Sequence, residues 1–260
     1  MTSTLPSQHV AFIEKAREFF SNDHRFEALL GGGSLVHGGF DEHSDLDLVI
    51  IVKEEFYPEV MESRRALAES VDVLVSAFTG EHVGEPRLLI CLYQNALLHV
   101  DMKFVTVSDL DARIEIPAVL WARNMDLIQQ KLDAAIIEWP NQSPQWFEDR
   151  AWIWLHYAIT KAMRCEFYEA IGMLSFFRDQ VLGPMIHRRH GQNQRGVRRI
   201  EEIGGAMLAA TVPACCAKSV RSAIHASMEL YLELREDQVP EKITNGMPEG
   251  LCDLYPLHAV

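Results

Sequence analysis

Three aspartates and a run of glycines carry the chemistry that this sequence offers. In "GGGSLVHGGFDEHSDLDLVIIV", residues 31 to 52, Asp45 and Asp47 alternate with Leu46 and Leu48 at the start of an apolar run. Strand side chains alternate between faces, so the two carboxylates share one face, about 6.6 Å apart at Cα. Like charges that close repel unless a cation or proton intervenes, and hard divalent ions with oxygen ligands, such as Mg²⁺, suit the pair. Gly31, Gly32, Gly33 and Ser34 lie upstream, read here as just past a helical or turn segment. Glycines let backbone N–H groups approach and line up around an anion, and the Ser34 hydroxyl adds a donor. There is no GxxxxGK[ST] lysine and no GxGxxG spacing, so other phosphate loops fit badly. In "ALLHVDMKFVTV", Asp101 is the lone acid on a polar face shared with His99 and Lys103. If that strand lies in the same sheet, Asp101 is placed as the third ligand of a two-metal site. The combination predicts a phosphate cradle followed by metal-binding carboxylates, hence a nucleoside triphosphate with Mg²⁺.

The elements that must hold these groups follow from periodicity. Val10, Ile13, Ala16, Phe19 and Phe20 have helical spacing over residues 9 to 22. "DLDLVIIV" reads as a strand, and 58–77 as a helix with Val60, Leu67, Val71 and Leu74 on one side. "RLLICLY" and "LLHVDMKFVTV" read as a hairpin around Gln94, Asn95 and Ala96, and "AVLW" at 118–121 as a further short strand. Beyond "EWPNQSPQW" the chain becomes helical, with Ser143 as N-cap and Pro144 in the first turn. Helices are expected over roughly 144–166, 168–189, 196–210 and 214–235, with an irregular stretch from Pro240. The expected fold is α/β (α+β), a mixed-sheet domain over 1–140 followed by a helical bundle over 141–260 that binds the acceptor. The active site is expected in the cleft between them.

Gly33-Ser34, three residues, Gly38, five residues and then "SDLDL" resembles the signature of DNA polymerase β-type nucleotidyltransferases. The resemblance covers about residues 25 to 125. The helical half is similar in layout, more loosely, to the aminoglycoside (antibiotic) nucleotidyltransferase group. It implies transfer of a nucleoside monophosphate from a triphosphate, ATP by expectation, to a hydroxyl, with pyrophosphate leaving. Asp45, Asp47 and Asp101 would be catalytic and hold two Mg²⁺ ions, with Asp101 also the candidate base. Gly33 and Ser34, with Lys161 from the helical half, would bind the nucleotide. The loop departs from the family in carrying extra glycine in "GGGS" and "HGG", which implies more mobility.

Composition narrows the partners. Of 260 residues 48% are hydrophobic, enough for one large domain or two small ones, and the formal net charge is −13. That field repels polyanions, so nucleic acid is a poor partner and a small cationic acceptor is steered inward. Glu148, Asp149 and Glu166 are candidates for an acidic wall around it, and antibiotic resistance is one role such an enzyme could serve. The basic cluster "HRRHGQNQRGVRR", 187–199, reads as a helix C-terminus ended by Gly191. His37 and His43 read as loop side chains, and Lys103 as balancing Asp101 or as solvated. Five cysteines form no CxxC pair, with Cys91 and Cys165 expected in cores. No run of about 18 apolar residues points to a membrane span. The N-terminus reads as a tail before a helix with no secretory leader, so the expected place is the cytoplasm, as monomer or dimer. The function expected is a Mg²⁺-dependent nucleotidyltransferase acting on a small molecule. The alternatives are a non-catalytic nucleotide-binding module, or transfer to RNA or protein.

Overall fold

A computed structural model describes residues 5–38 and 40–257; Gly39 of the loop and residues 1–4 of the tail lie outside the described residues. The chain divides into two compact units, Met1–Trp139 and Pro140–Val260.

The first unit opens with α1 (Ser7–Asn22), whose Phe12, Ile13, Ala16 and Phe20 are buried at helical spacing. β1 (Phe26–Gly31) then leads into the glycines, where a helical or turn segment was expected. Phe26, Ala28, Leu29 and Leu30 are buried on both faces, and this hides the alternation that identifies a strand. A single helical turn, α2 (Ser34–His37), precedes β2 (Leu46–Val52) and α3 (Tyr57–Val71). β3 (Leu74–Gly80), β4 (Glu85–Tyr93), β5 (Leu98–Val105), β6 (Ala112–Arg113) and β7 (Ala118–Ala122) follow. α4 (Met125–Ala134) and β8 (Ile136–Ile137) close the unit. The helix expected over 58–77 stops at Val71, because "VDVLV" carries three β-branched valines and Asp72 is extended at φ −160°. Leu74 therefore begins an edge strand.

The main sheet has the order β3-β4-β5-β2-β1-β7. β2 and β5 pair in parallel, and every other neighbouring pair is antiparallel, β4 and β5 forming the expected hairpin. One face packs Leu46, Leu48, Ile50, Val100, Met102 and Phe104 under α1 and α3. The other buries Ala28, Leu30, Val49, Ile51 and Val105 against Ile128 and Leu132 of α4. Each fully buried Leu, Ile or Phe contributes about 1.5–3 kcal/mol. A slip of one residue in β2 would turn Leu46, Leu48 and Ile50 outward and drive Asp47 into the core, so this packing fixes which way the aspartate points.

In the second unit Ser143 caps α5 (Pro144–Met163), accepting a hydrogen bond from the Trp146 N–H at 3.1 Å. α6 (Phe167–Phe177) and α7 (Gly183–Arg189) are separated by a π-helical turn, Arg178–Leu182, where one helix over 168–189 was expected. The region 196–210, expected as a helix, forms instead two short 3₁₀ segments, Ile200–Glu202 and Gly205–Thr211. Gly196 and Arg199 have positive φ there (+61° and +53°), which a continuous helix excludes. α8 (Ala217–Arg235) completes the bundle, and α9 (Glu249–Leu254) lies in the stretch from Pro240 expected to be irregular. Leu155, Ile159, Leu174, Phe177, Ile224 and Tyr231 form its core. Cys91 is buried, which pushes its thiol up to about 12, whereas Cys165 is exposed and fills no core. No helix among the described residues is long and apolar enough to cross a membrane.

Candidate functional site

Asp47 and Asp101 are register partners across the parallel β2–β5 pair. In register on adjacent strands, their side chains project from the same face, and both are half-buried between core neighbours Leu46, Leu48, Val100 and Met102. Asp45 directly precedes β2, and its charge is felt at Asp101. Burial raises the Asp101 carboxyl above the usual range; His99, whose Nε2 lies 2.9 Å from Oδ1, pulls it back, and Asp45 raises it further. All three aspartates thus belong to one end of one sheet face. Among the described residues, however, no group of three or more His, Cys, Asp or Glu side chains is gathered so as to hold a metal ion. The donor oxygens are of the kind a hard cation takes, but they are not converged on one point.

The glycine loop wraps the same end. The Gly32 N–H donates to the Asp47 carbonyl at 2.9 Å, tying the loop to β2. Gly33 sits at φ +57°, ψ −130°, a conformation essentially reserved for glycine. A Cβ there would come within 2.9 Å of Asp47 Cγ and closer still to Oδ2, so only a bare backbone lets the carboxylate and the loop approach. The Ser34 hydroxyl is buried without a hydrogen-bond partner among the described residues. Buried hydroxyls are nearly always satisfied, and an orphan in a glycine loop marks a place for a ligand oxygen.

Sequence reasoning missed a member of this site, Glu115, which lies between β6 and β7. The Gly33 N–H donates to its Oε1 at 2.7 Å, and His37 Nε2 pairs with its Oε2. The same Oε1 lies 2.7 Å from where a Cβ on Gly32 would be. The loop therefore already holds one anionic group, supplied by the chain itself. His37, read as a plain loop side chain, is part of that arrangement. The available signal was a lone acid in the otherwise apolar "IEIPAV", but nothing in local spacing links residue 115 to residue 33.

Other candidates have different partners. Lys103 pairs with Glu85 at 2.6 Å, not with Asp101. Together with Arg87 it holds the Glu85 carboxyl down at about 2. Lys161, in the second unit, pairs with Glu166 at 3.0 Å and lies over the Tyr157 ring. Glu148 is 1% exposed and builds no acidic wall. It accepts from Trp152 Nε1 and the Thr244 N–H at 2.9 Å each, bonds Tyr231, and faces Arg235. Burial alone would raise its carboxyl, but those donors and Arg235 carry it below the usual range. Asp149 is exposed and bonds Gln145. In the basic cluster Arg189 pairs with Glu233 and Asp237, and Gly191, at φ +69°, follows the end of α7. A cavity of about 280 Å³ within the second unit meets the π-helical turn at Asp179 and Gln180 and is also lined by Trp146 and Arg195. It offers one carboxylate and one guanidinium, so its chemistry is polar without selecting a sign.

No family model matches this sequence, and no curated protein does. Two solved structures are similar in part. The Thermotoga maritima CCA-adding enzyme complexed with tRNA_CCA matches at 10% identity and a TM-score of 0.36, over 92% of this chain and 68% of that one. The STING-associated CdnE c-di-GMP synthase from Capnocytophaga granulosa matches at 11% identity and a TM-score of 0.29, over 88% and 83%. Likenesses this loose leave the chemistry to be read from the chain's own residues.

Proposed function

We propose that this protein is a nucleotidyltransferase that moves a nucleoside monophosphate from a triphosphate, ATP by preference, to a hydroxyl of a small cationic molecule. The observation that supports it most is the glycine loop itself. Gly33 presents an N–H already engaged with a carboxylate, Ser34 keeps a buried hydroxyl without a partner, and both adjoin an aspartate pair in register. Phosphate oxygens would take the same donors. Asp45, Asp47 and Asp101 are the residues to hold Mg²⁺, after the side chains of Asp47 and Asp101 turn toward a common point. Bound there, the metal would neutralise charge on the triphosphate and lower the pKa of the attacking hydroxyl. Asp101 would receive that hydroxyl's proton, a role that its carboxyl, raised above the usual range by burial, supports. Gly33 and Ser34 would orient the phosphates. The net charge of −13 supports a cationic acceptor and weighs against RNA.

A pyrophosphate-release assay with each of the four triphosphates, Mg²⁺ and a panel of polyamine and amino-sugar acceptors tests this. Turnover that disappears in Asp47→Asn and Asp101→Asn is the expected result. Binding of triphosphate without any release across the panel would favour the second reading, a nucleotide-binding module, which the unconverged carboxylates also fit.

A further inference from the structure

The carboxylate of Glu115 occupies the position in the glycine loop where a phosphate oxygen would be received. It takes the Gly33 N–H and the His37 ring, and its Oε1 fills the space that a Cβ on Gly32 would need. Its side chain is 15% exposed, so the contact is largely shielded from solvent. The residues on either side are not anchored in the same way. Ile114 and Ile116 are 52% and 53% exposed, an unusual state for isoleucine, and the chain here is bend, not strand. Pro117, next to β7, is buried and gives the segment a fixed point from which to turn. Glu115 is thus the main tie between a loosely held connection and the loop.

From this arrangement we infer that Glu115 is an internal competitor for the phosphate cradle, an autoinhibitory carboxylate that a polyphosphate must expel before it can bind. The inference rests on the reading of the loop as a phosphate cradle. In the free protein Glu115 satisfies the Gly33 N–H and holds the loop in shape. A single carboxylate and a multiply charged triphosphate cannot share that N–H, because the anions repel and the donor is one. The entering ligand exchanges one charge-assisted hydrogen bond for several, drawing also on the Ser34 hydroxyl and on His37 once released. Ligands of low charge, such as a lone phosphate or a carboxylate, lack the surplus needed for the exchange. Glu115 therefore restricts the site to polyphosphates and makes entry conditional on movement of residues 114–116.

The test is isothermal titration of inorganic tripolyphosphate, with Mg²⁺ in excess, into the full chain and its Glu115→Gln and Glu115→Ala variants. Removing a competing charged hydrogen bond should tighten binding about tenfold or more, with Glu115→Ala at least equal to Glu115→Gln because the amide can still accept from Gly33. In the wild type, backbone amides of 114–116 should exchange faster when tripolyphosphate is bound, a readout that does not depend on the variants folding. Unchanged or weaker binding in both variants, or unchanged exchange in the saturated wild type, overturns the inference while leaving the phosphate reading intact. If neither the wild type nor folded variants bind tripolyphosphate, the phosphate reading falls, and the inference with it.

Discussion

Gly33→Ala and Gly38→Ala form a matched pair that isolates the approach of Asp47 to the loop. Both glycines have positive φ, +57° and +81°, so each alanine meets backbone strain of about 1–3 kcal/mol. At Gly38 a Cβ meets no atom within 4 Å among the described residues, and strain is the whole cost. At Gly33 the Cβ would lie 2.9 Å from Asp47 Cγ and nearer to its Oδ2, which adds an overpacking cost of about 1–3 kcal/mol. The low end applies, because Asp47 is half-buried and its side chain can turn aside. Gly33→Ala should therefore be less stable than Gly38→Ala by about 1–2 kcal/mol. Urea unfolding reads this as a lower midpoint with an unchanged slope. The ligand response should separate the two further. Turning Asp47 away from its register partner removes an oxygen donor, so Gly33→Ala should lose the Mg²⁺–triphosphate stabilisation that Gly38→Ala keeps. Equal midpoints for the two variants, or an intact ligand shift in Gly33→Ala, would refute the geometry.

Asp101→Asn removes a carboxylate that burial and Asp45 disfavour, so the ligand-free protein should gain roughly 0.5–1 kcal/mol in thermal or urea melts while nucleotidyl transfer is lost; a loss of stability would contradict it. Glu148→Gln should cost about 3–5 kcal/mol, since it leaves the Arg235 charge facing a neutral amide inside the bundle. A urea midpoint within error of wild type would show that the Glu148 network is dispensable. Glu85, held at about 2 by Arg87 and Lys103, should confer stability that is present above its ordinary value of 4.5 and lost as pH falls through 2. The full shift corresponds to about 3 kcal/mol, and solvent screening at this partly exposed pair reduces it to about 1–2 kcal/mol. Glu85→Gln should flatten the stability profile between pH 4.5 and 2.

What could be read in the chain depended on whether the physics was local. The strand at "DLDLVIIV" and the β4–β5 hairpin were legible because alternation and a three-residue gap are local signals. β1 was not, because Ala28, Leu29 and Leu30 form an unbroken apolar run and a strand buried on both faces has no period to detect. β3 was absorbed into α3 because Leu74 continues the helical spacing, and only the valines and the extended Asp72 break it. In the second unit the glycines at 196, 204 and 205 should have outweighed the apolar spacing that suggested a helix. For the candidate site, alternation put Asp47 and Asp101 on polar strand faces, and the register of β2 with β5 sets them side by side. Glu115 could not be named, since its contact with Gly33 arises from the meeting of distant segments. Glu148 misled for a related reason: its sequence neighbours give no hint that Tyr231, Thr244 and Arg235 converge on it.

The parallel pairing of β2 with β5 also sets an order for folding. Two antiparallel strands joined by a tight turn, such as β4 and β5, close quickly because little loop entropy is lost. β2 must find β5 across the whole of α3, β3 and β4, a non-local contact of the slow kind. The step that zips β2 onto the finished hairpin is the one that places Asp47 beside Asp101. Their repulsion thus falls on this non-local step, after the hairpin that carries Asp101 has closed.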